Sequence, residues 1–347
     1  MNLAVDALNL RRDRRGMGRI VRGVLRTASR NGVAVTLLLA DREDFSGDPD
    51  ADMLAALGRA PLSSARSKNR YDATWYPWNG IRFPSASRCL VHIHDTFALH
   101  EPGLGWIARL RVRAPLLRAA RRADRIATDS AWSAAQIERE LNVEASRIVV
   151  IRLSPDPLFS PADRAEQVQR LPPTPFVLVV GAGEARKNAP FLIRAFAAAF
   201  PAREATLVVA GSLSGEALRE AAALEVPIVR ETPDDARLRE LYRAAACVAV
   251  PSLSEGFGLV VVEAQACGAP VIASNSSALP EAAGDAAVLL PSDDAGAWQR
   301  ALREVVFDGA LASRLRALGV SRWNGADREA PARAILAVLR DLAAQSA

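Results

Sequence analysis

Short apolar runs rich in β-branched and aromatic residues recur along this chain, and between most of them the apolar positions return at every third or fourth residue. The first pattern predicts strands and the second predicts helices packed on a sheet. LAVDAL, VAVTLLL, DATWY, CLVHIH, RIATD and IVVIRL occupy the first half; FVLVV, TLVVAG, VPIVR, CVAVP, PVIAS and AAVLL follow in the second. Helical spacing fills 19–30, 133–141, 190–200 and 234–246. Strands alternating with helices build parallel sheets covered on both faces. The expected architecture is therefore α/β, with two Rossmann-like, doubly wound domains facing across a cleft. The proline-rich stretch SPDPLFSPADRAEQVQRLPPTP (154–175) parts the two sets and reads as their linker. Ligands of such sheets bind outside the carboxyl ends of the strands.

At 347 residues, half of them apolar, the chain is long enough for two cores. No apolar run approaches the length of a membrane span. The start, MNLAVDALNLRRDRR, has an Asp inside its apolar stretch and its basic cluster afterwards, the reverse of a secretory signal. The three cysteines, in CLVHIH, ACVAVP and QACGAP, lack ligand spacing and read as reduced core residues of a cytoplasmic protein.

Charge changes the picture. Residues 1–165 hold 26 Lys and Arg against 18 Asp and Glu, a net of +8, while residues 166–347 hold 18 against 21, a net of −3. The basic half is expected to meet an anionic partner. Arg19, Arg22, Arg26 and Arg30 share one helix face by spacing, and a second cluster runs from Arg109 to Arg125. These stripes read either as solvated faces or as peripheral contacts with an anionic membrane. The acidic second half and the absence of aromatic–basic interleaving argue against nucleic acid.

Candidate chemistry concentrates in PSLSEGFGLVVVEAQACGAPVIAS, where seven uncharged residues separate Glu255 from Glu263. In one helix these carboxylates would stand about 12 Å apart and some 80° round the axis, which does not suit a glycoside hydrolase pair. With Glu255 in a loop and a helix starting near Gly258, the two suit separate parts of one long ligand. Gly268 and Pro270 supply the helix stop, although Val260, Val261 and Val262 favour a strand by propensity. GAGEARKN places Arg186 and Lys187, one of only two lysines, at a helix entrance, where they can neutralise a diphosphate. It lacks the third glycine of a dinucleotide fingerprint. All three histidines lie in VHIHDTFALHEPG; no carboxylate cluster is evident to complete a metal site around His92 and His94, and His94–Asp95 suits a polar substrate. Asp50-Ala51-Asp52 sits in an acidic loop and is discounted as a metal motif.

Taken together, these segments resemble the retaining glycosyltransferases of family 4, which have the GT-B fold. The resemblance rests on the Glu-x7-Glu stretch with its flanks, GEARKN, His94–Asp95, TDSAWSAAQI and the early Gly16-x-Gly18 loop. Val260 stands where the family commonly has proline. The resemblance implies that Glu255 holds hydroxyls of the transferred sugar and Glu263 the ribose hydroxyls. The backbone near Phe257, Gly258 and Leu259 would contact sugar and diphosphate. Arg186 and Lys187 would stabilise the leaving diphosphate, Gly16 and Gly18 would approach the phosphates, and His94 would lie near sugar or acceptor. It also implies no metal and no cofactor beyond the nucleotide sugar, with GDP-mannose or a deoxyhexose donor favoured. The acceptor would be a saccharide or lipid-linked saccharide at the inner membrane face. The alternative is an inactive nucleotide-sugar-binding partner subunit. RWNGADREAPARAILAVLRDL resembles the family's last helix, which returns to the first domain, giving expected domains of 1–165 plus 326–347 and 166–325.

Overall fold

The computed structural model describes all residues except 14–15, 41–44, 49, 67–69, 101–105, 162–170 and 346–347. The chain divides into two compact units, Met1–Ser154 with Glu329–Ala347, and Pro155–Arg328. The expected cut at 165/166 lies outside the described residues; the return to the first unit comes at Glu329, slightly later than the expected 326.

In the first unit the strands are β1 Asn2–Asp6, β2 Ala34–Leu39, β3 Gly58–Pro61, β4 Ala73–Tyr76, β5 Arg88–His92, β6 Arg125–Thr128 and β7 Ile148–Val150. They form one sheet in the order β3-β2-β1-β4-β5-β6-β7, and every pair is parallel. Six strands match the apolar runs. The exception is β3, whose GRAP sequence carries no alternation; it is an edge strand, where proline is tolerated. The helix Ala330–Ala344 completes this unit's core by burying Ile335, Leu336, Leu339 and Leu342. Four such side chains contribute on the order of 6–12 kcal/mol, enough to hold the chain's last helix to the first unit.

The second unit holds β8 Phe176–Val180, β9 Thr206–Ala210, β10 Ile228–Glu231, β11 Cys247–Val250, β12 Val271–Ser274 and β13 Val288–Leu290. Their order is β10-β9-β8-β11-β12-β13, again all parallel. Both sheets reverse direction of winding once, between β1 and β4 and between β8 and β11. The loops leaving those strands part to opposite sides, which opens a crevice at each carboxyl edge. The buried Cys89, Cys247 and Cys267 carry free thiols, and burial pushes them up to about 11, 12 and 12.

Three arginines of the stripe on the helix Met17–Arg30 are paired with carboxylates of the first unit. Arg22 is only 4% exposed; its guanidinium donates to Asp48 at 2.6 Å and to the carbonyls of Leu10 at 2.7 Å and Asp13 at 2.8 Å. Arg26 pairs with Asp50 and Arg30 with Glu329. Asp48 and Asp50 thus neutralise two arginines of the stripe and Glu329 a third, which also accounts for Asp50 of the discounted Asp-x-Asp. Breaking a buried pair leaves an uncompensated charge. Arg22→Ala is therefore expected to lose about 3–5 kcal/mol of stability, and Arg30→Ala, at an exposed pair, less than about 1 kcal/mol. Urea denaturation compares them, and equal losses would contradict the burial assigned to Arg22.

Candidate active site

The crevice of the second sheet collects the residues singled out in GEARKN and in the Glu-x7-Glu stretch. The loop after β8 turns through Arg186 and Lys187 into the helix Ala189–Ala199, and the loop after β11 carries Glu255. Because β8 and β11 are neighbours at the winding reversal, residues almost seventy positions apart come into contact. Glu255 Oε2 accepts from Arg186 Nη1 at 2.9 Å, and its Oε1 accepts from Lys187 Nζ and Ser252 Oγ, each at 2.7 Å. Its amide donates to Ser277 Oγ at 2.8 Å. The backbone of the two loops is tied as well, by Leu253 N–H on the Arg186 carbonyl at 2.8 Å and by the Asn188 side-chain amide on Pro251 O at 3.3 Å.

Glu255 is 8% exposed. Burial alone would raise its carboxyl, but the Lys187 ammonium and the Arg186 guanidinium outweigh burial and hold it below the usual carboxylate range. Burial disfavours the Arg186 cation, yet Glu255 and Glu184 raise it above its ordinary value. The two cations share Glu255, and Arg186 is bonded as well to the exposed Glu184 at 2.8 Å, so the cluster holds two cations and two carboxylates at the crevice.

Glu255 leads directly into the helix Leu259–Ala266. Three consecutive valines cost this helix about 0.5–0.7 kcal/mol each relative to alanine. Burying Val261 and Val262 contributes about 1.5 kcal/mol or more apiece, so packing decides for the helix. Its start is set by Gly258, at φ +113°, where a Cβ would meet Leu279 Cδ2 at 3.0 Å. Its end is a Schellman pair, Ala269 N–H on Ala264 O and Gly268 N–H on Gln265 O. The helix therefore opens beside Glu255 without the proline common in the resembling family. Phe257 is buried next to this turn. Glu263, inside the helix, is 2% exposed and accepts from Tyr242 Oη at 3.1 Å.

In the first unit, Gly16 caps the helix Met17–Arg30 at φ +49°, with open space where a Cβ would stand. Gly18 is required for a different reason: a Cβ there would lie 1.8 Å from the Asp13 carbonyl oxygen, so the loop after β1 lies directly on the helix. His94 stands just beyond β5. Its Nδ1 lies 2.6 Å from Asp129 Oδ2 and its Nε2 3.0 Å from the Pro77 carbonyl, while its amide donates to Asn79 Oδ1. His92 stacks on it with ring centroids 4.2 Å apart and places Nε2 2.6 Å from Asp129 Oδ1.

Asp129 is the carboxylate that the sequence did not reveal beside the histidines, and it brings three possible metal-ligand atoms within 4.8 Å of one another. The contacts are nonetheless those of hydrogen bonds. Atoms sharing a tetrahedral ion at about 2.0–2.1 Å stand roughly 3.3 Å apart, whereas each ring nitrogen here meets its carboxylate oxygen at 2.6 Å.

Asp6 is the one charge inside the first apolar run. It ends β1 at the winding reversal, is 1% exposed, accepts from Leu8 N–H at 3.1 Å, and has a buried Oδ2 with no partner. Burial lifts its carboxyl to about 6.

These two doubly wound units define a GT-B protein. Residues 174–308, all within the second unit, match the family described as Glycosyl transferases group 1. A D-inositol 3-phosphate glycosyltransferase from Thermobifida fusca is 33% identical over 240 residues, which cover 63% of this chain and 55% of that protein. The chain thus spans about half the length of this curated relative. Among solved structures, sucrose-phosphate synthase from Thermosynechococcus elongatus aligns with a TM-score of 0.76 at 22% identity over 99% of this chain and 100% of that one. Anabaena Alr3699/HepE in complex with UDP-glucose aligns with a TM-score of 0.74 at 17% identity over 98% and 99% of the two chains. At these identities the structural likeness bears on the fold.

A carboxyl raised by folding favours the native state at low pH and opposes it once pH rises through the folded value. Ionised Asp6 therefore costs up to about 3 kcal/mol above pH 6. Asp6→Asn is expected to stabilise the protein by roughly 1–3 kcal/mol at pH 8 and by little at pH 4. Unfolding measured at both values checks this, and a gain independent of pH would contradict it.

Proposed function

We propose that this protein is a retaining glycosyltransferase that moves a hexosyl group from a nucleoside diphosphate sugar to a hydroxyl of a saccharide or lipid-linked acceptor. The observation that carries the reading is the cluster of the buried Glu255 with the half-buried Arg186 and Lys187 at the winding reversal of the second sheet. Arg186 and Lys187 place two cations at the crevice for a diphosphate, Arg186 being shared with the exposed Glu184, and the helix that follows Glu255 turns the positive end of its dipole to the same anion. Glu255 binds hydroxyls of the transferred sugar, and Glu263 serves the ribose once its bond to Tyr242 yields. Gly16, Gly18 and the backbone from Phe257 to Leu259 approach the phosphates and the sugar, and His94 serves the sugar or the acceptor.

In this mechanism the bond from the anomeric carbon to the diphosphate breaks and the bond to the acceptor oxygen forms on the same face. The acceptor proton passes to the departing diphosphate oxygen. Arg186 and Lys187 stabilise charge as it grows on that leaving group, where electrostatic help lowers the barrier most, so no divalent ion is required. The match of residues 174–308 to the glycosyltransferase family supports sugar transfer as the class of reaction.

Arg186→Ala and Lys187→Ala are each expected to slow transfer by about 10²-fold or more, with EDTA leaving the unmutated rate unchanged. Glu263→Ala mainly weakens donor binding, by roughly 1–3 kcal/mol, while Glu255→Ala lowers turnover. Donors are ranked by thermal stabilisation, because a bound ligand raises stability with its concentration; GDP-mannose is expected to lead UDP-glucose. A rate abolished by EDTA, or no stabilisation by any nucleotide sugar, would overturn the reading.

Peripheral membrane contact, if it serves a lipid-linked acceptor, moves from the paired stripe to the helix Trp106–Arg122. Among the described residues no helix is long and apolar enough to cross a membrane. This helix, however, leaves Trp106 73%, Leu110 58% and Ile107 51% exposed, with Arg111, Arg121 and Arg122 also exposed; the Arg109 side chain lies outside the described residues. Apolar and basic groups on one exposed helix suit an anionic lipid surface. Co-sedimentation with anionic vesicles is expected at low salt, and Trp106→Ser/Leu110→Ser should reduce it several-fold. Binding unchanged in that variant would remove the helix from consideration.

A further inference from the structure

The hydrogen bonds around Asp129 determine which protons the two histidines carry. An ionised carboxylate and a backbone carbonyl accept hydrogen bonds and cannot donate them. His94 Nδ1 faces Asp129 Oδ2 and His94 Nε2 faces the Pro77 carbonyl, so both nitrogens must bear protons. His92 Nε2 faces Asp129 Oδ1 and must also carry its proton, whereas His92 Nδ1 is buried with no partner and is left as a lone pair. We infer that Asp129 is a positioning residue for transfer, holding His94 as a doubly protonated imidazolium, so that His94 acts on substrate as a fixed cation and never as a general base. This rests on the proposed role of His94 at the sugar or acceptor.

The other charged groups facing His94 agree with this assignment. Burial disfavours its cation, but Asp129 and Asp95 outweigh burial and raise it above the ordinary histidine value. His92 is lowered by burial and by the neighbouring His94 charge despite Asp129. Burial would raise Asp129 itself, but the two histidines hold it well below the usual carboxylate range. The backbone on either side is held too, since Ser130, next to Asp129, caps the helix Ala131–Leu141 and Ser133 Oγ donates to the His94 carbonyl at 3.1 Å.

Ring-nitrogen NMR of the ¹⁵N-labelled full chain reads the protonation directly, and three histidines keep the spectrum simple. One imidazole is expected to keep both protons from pH 6 to pH 8, and another to stay in the Nε2–H form. His94→Gln and His92→Gln assign them. In Asp129→Asn the His94 signal should lose its second proton at least one pH unit lower. The alkaline limb of kcat/KM for nucleotide-sugar transfer should move down with it, while the rate at low pH stays within a few-fold. A neutral His94 at pH 7 in the unmutated protein overturns the inference, as does an Asp129→Asn rate lowered equally at every pH. If Asp129→Asn does not fold, the unmutated spectrum decides alone. Failure of the unmutated protein to turn over any nucleotide sugar would instead remove the proposed function, and the catalytic part of this inference with it.

Discussion

Every strand pair in both sheets is parallel, and that constraint places the chemistry. A parallel strand must deliver its chain to the carboxyl edge, and the chain must return on one face or the other before the next strand begins. Where the winding changes direction, two neighbouring strands send their chains to opposite faces and nothing covers the gap between them. The β8–β11 pair is that place in the second unit, and it carries GEARKN on one side and Glu255 on the other. The first unit repeats the arrangement at β1 and β4, with Asp6 at its lip.

Charge is then managed locally. The chain is rich in arginine, yet the arginines of its first helix are largely consumed within the fold: Arg22, Arg26 and Arg30 all have carboxylate partners. The cluster at Glu255 differs, because two cations share that carboxylate while Arg186 also meets the exposed Glu184. Such a cluster matches its charges only when the exposed Glu184 is counted, whereas Arg22 and Asp48 match within a single buried pair. The His92–Asp129–His94 cluster is intermediate, with its charges balanced internally and its geometry held on both sides of the carboxylate.

Much of this was legible in the sequence, for identifiable reasons. Apolar, β-rich runs marked twelve of the thirteen strands among the described residues, while GRAP, at an edge where proline is tolerated, carries no such run. The helix behind Glu255 was readable from Gly258 and Gly268 despite its valines, since backbone turns at φ > 0 leave a clear trace in glycine. The closeness of Arg186, Lys187 and Glu255 was inferred from a family resemblance; spacing alone gave no distance between them. Asp129 was invisible beside the histidines because contacts across neighbouring parallel strands join residues some thirty-five positions apart. The partners of the arginine stripe were hidden for a related reason, because helical spacing reports which side chains share a face and says nothing of the distant carboxylates that meet it.

The return of Ala330–Ala344 to the first unit also sets the order of events during synthesis. The first seven strands emerge from the ribosome long before Ile335, Leu336, Leu339 and Leu342 exist to close their core. Residues 155–328 form a contiguous unit with no such debt, so they can reach their native packing while the N-terminal sheet still waits with an apolar face uncovered. Chains usually fold domain by domain from the N-terminus; here the later domain is the first able to finish, and the nascent first sheet is the segment most in need of a chaperone.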